Sequence, residues 1–235
     1  MSGKKRELEY AFPKTVPVLA GYLVLGASYG ILMADSGFGP LWSVGISMIV
    51  YAGSLQYLGV SFLAAAVNPV YAFLMSFMLN ARHLFYGISM LDRFRGVKRF
   101  KPYLIFALTD ETFSVLCSED PPEGLDRDSV LFWITFLNHC YWVGGTVIGA
   151  LLGSVIAFDT SGMDFALTAL FVVIFTGQWE ERQGHPFALL GLAAAGACLL
   201  IFGQDNFIIP AMAVILAALF AVYRKQERGK EEKAV

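Results

Sequence analysis

The chain has 235 residues, 57% of them hydrophobic and only 15% charged, with a mean hydropathy of +0.60. A water-soluble domain carries about a quarter charged residues. Here the apolar residues fall in long blocks between short polar joins, which excludes an ordinary soluble domain and predicts an all-α polytopic membrane protein. The formal net charge of −2 excludes nothing further, because placement of charge matters more than its sum in such a chain.

The pattern predicts about seven or eight spanning segments in one transmembrane domain over 1–235, with tails at 1–12 and 224–235. The first tail carries Lys4, Lys5 and Arg6, and no small-residue cleavage site follows the first apolar run, so it reads as a tail and not as a signal peptide. That run, about 13–34, contains Pro17 and the pattern Gly26-Ala-Ser-Tyr-Gly30, which lets another helix approach closely. Residues 35–40 form a turn by composition. The second run, 41–67, is long for one span and holds Tyr51-Ala-Gly-Ser-Leu-Gln56 near its middle. Ala52, Gly53 and Ser54 leave little side chain to hold a helix. Two readings stay open: unwound backbone that offers amides and carbonyls to a solute, or a tight crossing with Gln56 bonded to a neighbour.

The third run starts at Asn68-Pro69 and ends near Leu91. On a 3.6-residue period Ser76, Asn80, His83 and Gly87 share one face, with Arg82 and Tyr86 on the adjacent one. Residues 92–101 carry five basic groups and one acidic group, which places this connection in the cytoplasm. The next run, 103–118, has Thr109, Asp110 and Glu111 at its centre and is short for a ~30 Å hydrocarbon core, so a broken or re-entrant helix is expected. An acidic loop with Pro121-Pro122 follows. The fifth run, 130–158, carries Asn138, His139, Tyr141 and Trp142, then Gly145, Gly149 and Gly153 at spacing four. Asn138, Trp142, Gly145 and Gly149 lie on one face, a packing groove with a site candidate at its head. Runs at 163–179, 186–202 and 207–223 complete the set, and Arg224, Lys225, Arg228, Lys230 and Lys233 put the second tail in the cytoplasm.

Gly26, Gly30, Ser36, Gly37 and Gln56 parallel Gly145, Gly149, Ser161, Gly162 and Gln178 at offsets of 119, 125 and 122 residues, which suggests an internal repeat. Eight full spans cannot place both the 92–101 loop and the second tail inside. A re-entrant 103–118 removes the conflict. Three crossings before the loop then put the N-terminus outside, and the repeats acquire opposite topology.

Arg82, His83, Asp110 and Glu111 sit where hydropathy puts lipid. A charge there costs roughly 2.5–3.5 kcal/mol on insertion scales, so these groups should face the bundle interior or a water-filled cavity. That constellation predicts the working site of a transporter. Motifs for other chemistry are missing: the sequence has no GxxxxGK[ST] or HExxH, and Cys117, Cys140 and Cys198 have no metal-like spacing. No catalytic residue, cofactor, metal or nucleic-acid partner is expected. An intramembrane enzyme and a non-transporting scaffold subunit are the competing classes.

The run NARHLFYGISM at 80–90, LTDETF at 108–113, YAGSLQ, the early YGI and the final apolar pair with Pro210 resemble the AzlC family over most of the chain. These are branched-chain amino acid permeases, mostly exporters, that work with a small AzlD-type membrane subunit. Where the family pattern has Phe after the Gln of YAGSLQ, this chain has Tyr57. The resemblance implies secondary transport of valine-like amino acids across the cytoplasmic membrane, with an AzlD-like partner, the lipid bilayer and room for a homo-oligomer. Arg82 would clamp the substrate carboxylate. Asp110 or Glu111 would take its ammonium group. His83, Asp110 or Glu111 would carry a coupling proton. Gln56, Asn80, Asn138, Gly53 and Ser54 complete the candidate contacts. The alternative for Arg82 and Asp110 is a permanent ion pair that holds two segments together.

Overall fold

A computed structural model describes residues 2–65, 67–97, 99–156, 172, 175–176, 179, 185–203 and 207–231, which fall in two compact units, Met1–Leu167 and Thr168–Val235. The described residues hold helices and no strand. The first unit contains α1 (Ser2–Asp35), α2 (Pro40–Ile49), α3 (Gly53–Ala64), α4 (Pro69–Ser89), α5 (Lys101–Phe106), α6 (Asp110–Ser118) and α7 (Arg127–Val155). In the second, α8 (His185–Phe202) packs on α9 (Ile208–Glu231). By length and hydropathy two of the described helices can each cross a membrane alone, Lys5–Asp35 and His185–Phe202.

The spine of the first unit is the pair α1 and α7, and glycine is what allows it. A Cβ on Gly26 would lie 2.7 Å from the Trp142 carbonyl oxygen, and one on Gly145 would lie 2.8 Å from those of Tyr22 and Leu23. On Gly30 it would collide with the Thr146 carbonyl, and on Gly149 with that of Ala27. The two glycine patterns seen in the sequence therefore face each other. Residue numbers rise together along the contact, from Thr15 with Tyr141 to Ile31 with Gly153, so the two helices run in the same direction. The expected inversion does not relate them. Their further counterparts, Ser161, Gly162 and Gln178, lie outside the described residues, as does most of the 163–179 run.

Between these two helices the chain makes two helical hairpins from opposite ends. The first is α2–α3. Ser47 meets Thr146, Tyr51 stacks on His139 with centroids 4.1 Å apart, and then Gly53 and Gln56 return to Trp142 and Tyr57 to Leu25 and Tyr29. In a continuous helix Ser47 and Gln56, nine residues apart, would be separated by about 13 Å along the axis. Their side chains are 2.8 Å apart. The break falls at 50–52, earlier than the expected 52–56 stretch, and the run folds back instead of spanning.

The second hairpin is α5–α6. Phe100 stacks on Phe132 at 4.4 Å, Tyr103 reaches His139, and after the break at 107–109 the chain turns back through Thr112 beside Asn138 to Glu119 beside Lys14. Arm and return arm share one apolar cluster with the start of α7, in which Leu104, Leu116, Leu131 and Ile134 are fully buried. α4 joins the hairpins, running antiparallel to α3 with Tyr71 near Phe62 and Arg82 at Ser54.

This folding corrects the expected side of the N-terminus. Tyr10 bonds Glu119, Lys14 pairs with Glu119 at 3.2 Å, and the Asp126 amide donates to Glu7. The 92–101 loop lies at that same end, where Arg93 holds Asp120 at 3.0 Å and Arg127 donates to the Arg93 carbonyl. The start of α1 and the basic loop are together because the 41–67 run also turns back. An inverted relation does exist, between α1–α3 and α4–α6: each is a long helix followed by a hairpin, in opposite directions.

Candidate functional site

Both hairpin tips stop at the middle of α7, and each return arm starts a new helix there. Those two N-termini behave differently. Thr109 caps α6, its Oγ1 accepting from the Thr112 amide at 3.3 Å, and Asp110 and Glu111 fill the first turn, where a helix dipole favours acidic groups. α3 begins after Ala52 with no side-chain cap. Tyr51, just before it, holds φ at 42°, a left-handed conformation that costs a non-glycine residue of order 1–3 kcal/mol.

Arg82 of α4 joins the two ends. Its Nη1 pairs with Asp110 Oδ2 at 3.0 Å and its Nη2 donates to Ser54 Oγ at 2.8 Å, while its Nε has no partner among the described residues. Tyr86, one turn on, donates to the other Asp110 oxygen at 2.5 Å and stacks on Phe113 at 4.5 Å. The guanidinium and the carboxylate keep 26% and 21% of their side-chain surface exposed, so the pair borders open space and is not sealed in a core. The structure thus brings Asp110 and Ser54 each into direct contact with Arg82.

Glu111 points elsewhere. Tyr22 of α1 donates to Glu111 Oε2 at 2.7 Å, and its hydroxyl lies 2.7 Å from Thr109 Oγ1. Thr109 and Thr112 hydroxyls are 3.0 Å apart, and Asn138 Nδ2 donates to Thr112 Oγ1 at 3.1 Å. Asn138 is fully buried, and its Oδ1 is without a partner among the described residues.

Of the remaining sequence candidates, Gln56 follows the second of its two readings. Its Oε1 accepts from Trp142 Nε1 at 2.8 Å and its Nε2 donates to Ser47, which meets Thr146 at 2.8 Å, so a buried amide is used up within the protein. Gly53 lies against the Trp142 indole, 2.8 Å from where its Cβ would be. His83 Nδ1 contacts the Asn80 carbonyl at 3.2 Å, and neither side chain joins the Arg82–Asp110 pair. Sequence reasoning passed over Tyr22 and Thr112 and named Thr109 only as part of the polar centre of its run. A threonine just before two acidic residues is a helix-start signal and could have been read. Nothing in the local sequence marks Tyr22, a tyrosine in an apolar helix whose hydroxyl finds polar company only after folding.

Comparison with known proteins places these residues in a family. The model of the family described as AzlC protein matches residues 17–156, which include both hairpins and every candidate above. A Bacillus subtilis relative described as branched-chain amino acid transport protein AzlC is 45% identical over 220 residues, 94% of this chain and 87% of its own. An uncharacterized membrane protein of Haemophilus influenzae is 41% identical over 204 residues, covering 86% and 83% of the two chains. The inner membrane protein YgaZ of Escherichia coli is 30% identical over 194 residues, 79% of each. No solved structure matches the chain.

Proposed function

Because this chain belongs to the AzlC family, we propose that it is a secondary transporter that moves branched-chain amino acids out across the cytoplasmic membrane in exchange for protons. The observation that carries the reading is the placement of Arg82 against the start of α3. A helix N-terminus bears a partial positive charge, and a cation beside one is unfavourable unless an anion joins them. α6 supplies its own anions; α3 has neither a cap nor an acidic residue in its first turn. The free amides of α3, the Ser54 hydroxyl and the Arg82 fork together suit the carboxylate of an amino acid. Asp110 then exchanges part of its hold on Arg82 for the substrate ammonium group, with Glu111 one residue away. Proton coupling falls to Glu111, which forms no ion pair among the described residues, whereas Asp110 pairs with Arg82 at 3.0 Å. His83, without a carboxylate partner in the described structure, is the secondary candidate.

In this reading both hairpins are re-entrant, and both units form one transport domain. Lys4, Lys5, Arg6 and the basic 92–101 loop lie at a single end, the cytoplasmic one, by the excess of basic residues that cytoplasmic connections carry. An AzlD-like membrane subunit is the partner, supported by family membership alone. The deciding experiment uses proteoliposomes loaded with labelled valine, with and without such a subunit. Flux that responds to an imposed pH gradient supports the proposal; protein that is inserted and folded yet moves no branched-chain amino acid in either setting ends it. The charge reversal Arg82→Asp with Asp110→Arg separates substrate contact from a structural pair. Recovery of folding without flux favours contact with the solute. Recovery of both shows that the pair only holds α4 to α6.

A further inference from the structure

The inverted relation between α1–α3 and α4–α6 is written in the sequence. Tyr29-Gly-Ile-Leu-Met-Ala-Asp35, at the end of α1, recurs across the end of α4 as Tyr86-Gly-Ile-Ser-Met-Leu-Asp92, 57 residues later. α3 and α6 begin at the same offset, with Gly53 and Asp110. Contacts between the repeats obey it too. Lys14 of α1 pairs with Glu119 just past α6 at 3.2 Å, and their counterparts at that offset, Tyr71 of α4 and Phe62 of α3, meet edge to face with centroids 6.5 Å apart. Each return arm is therefore zipped to the long helix of the other repeat. Along the α1–α6 seam Lys14 faces Glu119 and Tyr22 faces Glu111, so the two segments run antiparallel in even register. Along the α3–α4 seam Tyr71 faces Phe62 and Arg82 reaches Ser54. Both seams start at the hairpin tips, beside the Arg82–Asp110 pair and Glu111. The first ends where the basic loop lies, the second at the opposite end of the bundle.

Different chemistry closes the two mouths. At the first, Glu119 is 5% exposed: Tyr10 donates to its Oε1, Lys14 pairs with its Oε2 and lies 5.5 Å over the Tyr10 ring, and Arg93 holds the next residue, Asp120. A buried carboxylate with two charge-assisted partners is a firm fastening. At the second, Tyr71 is 39% exposed and Leu63, beside Phe62, 47%, and an edge contact between such rings holds less firmly. Behind each mouth an apolar side chain fills the seam. Val18, between Lys14 and Tyr22, is buried, as is its counterpart on α4, Met75. We infer that the α1–α6 seam is the passage between the proposed solute site and the cytoplasm, latched by Glu119 with Tyr10 and Lys14, and that the α3–α4 seam is its outward counterpart. The inference rests on the transport reading and deepens it: solute enters when α6 parts from α1 and leaves when α3 parts from α4. Glu119 lies about 12 Å along the arm from Glu111, so the latch residues position α6 and do not touch the solute.

Thiol labelling tests the passage without a transport assay. In a background of Cys117→Ser, Cys140→Ser and Cys198→Ser, the single reporters Val18→Cys and Met75→Cys meet a charged, membrane-impermeant methanethiosulfonate from one side of sealed vesicles at a time. Tyr10→Phe with Lys14→Gln should speed labelling of Val18→Cys from the cytoplasmic side about tenfold or more, the factor for losing a charge-assisted bond, and leave Met75→Cys as it was. Phe62→Ala should do the converse from the other side. Exchanging the charges, Lys14→Glu with Glu119→Lys, should restore slow labelling. Unchanged labelling of Val18→Cys, or a rise at both reporters together as in general loosening, overturns the passage. A second variant works by tightening, so it stays informative if the loosened one does not fold. Lys14→Cys with Glu119→Cys, joined by a cleavable bifunctional thiol reagent, should lose valine flux and regain it on reduction. Full flux in the joined protein overturns the latch. Side-specific labelling in a protein that moves no valine even before joining sinks the transport reading and leaves the passage standing.

Discussion

The two hairpins share a shape and differ in what holds their tips. The α2–α3 tip is neutral and braced from within. Gln56 spans the fold to Ser47, Trp142 donates to Gln56 and covers Gly53, and Tyr57 donates to the Leu25 carbonyl at 2.7 Å. The α5–α6 tip is capped by a threonine and opens with two carboxylates, one paired to Arg82 and one held by a tyrosine. In the first, polar groups are consumed by packing. In the second, they keep partners that a solute or a proton would replace in the proposed mechanism. A brace and a proposed working edge thus face each other across Arg82, and substitutions should sort by side.

The largest expected effect lies on the working edge. Arg82→Ala removes a charge-assisted hydrogen-bonding fork, worth roughly 3 kcal/mol at the upper end, or about 100-fold in apparent affinity for valine. Asp110 then points into a site open enough for water to reach it, so thermal stability in detergent should fall much less than flux. Comparable losses of both would erase the distinction between the tips. On the brace, Gln56→Leu strands the Trp142 indole N–H in a buried place and should cost about 2 kcal/mol of stability. Flux per folded molecule should stay near the wild-type value, as measured in proteoliposomes matched for inserted protein. A Gln56→Leu protein of normal stability that transports nothing would move Gln56 into the site.

This division also shows what the sequence could tell. The charged edge was legible because charge in an apolar run is conspicuous: Arg82 and Asp110 were candidates for a joint role, and they meet at 3.0 Å. The facing glycines were legible as packing signals, though not that Gly26 and Gly30 would find Gly145 and Gly149. The return of the 41–67 run was not visible, because its two arms together have the length and hydropathy of one spanning helix. Tertiary contacts such as Ser47–Gln56 and Gly53–Trp142 separate a hairpin from a kinked span. That the start of α1 and the 92–101 loop share one end was hidden for the same reason. Tyr22 and Thr112 stayed hidden because their polar contacts come from other helices.

The smallest effect gives the sharpest comparison, since it sets two glycines of one helix against each other. Gly53 and Gly59 both lie in α3. At Gly59 a Cβ would meet nothing within 4 Å, whereas at Gly53 it would lie 2.8 Å from the Trp142 ring. A ring tip could ordinarily give way, but Trp142 is 3% exposed, bonded through Nε1 to Gln56 and set edge-on against Tyr22 at 5.3 Å. Yielding at one atom would disturb all three. Gly53→Ala should therefore destabilise by about 1–2 kcal/mol, in the range of overpacked sites. Gly59→Ala should stabilise by up to about 1 kcal/mol through helix propensity and a less flexible unfolded chain. Thermal unfolding of the two single variants in one detergent reads the difference in sign. If both alanines shift the midpoint alike, Trp142 is free to move, the α2–α3 tip is not braced, and that hairpin becomes as much a candidate for the moving part as its charged counterpart.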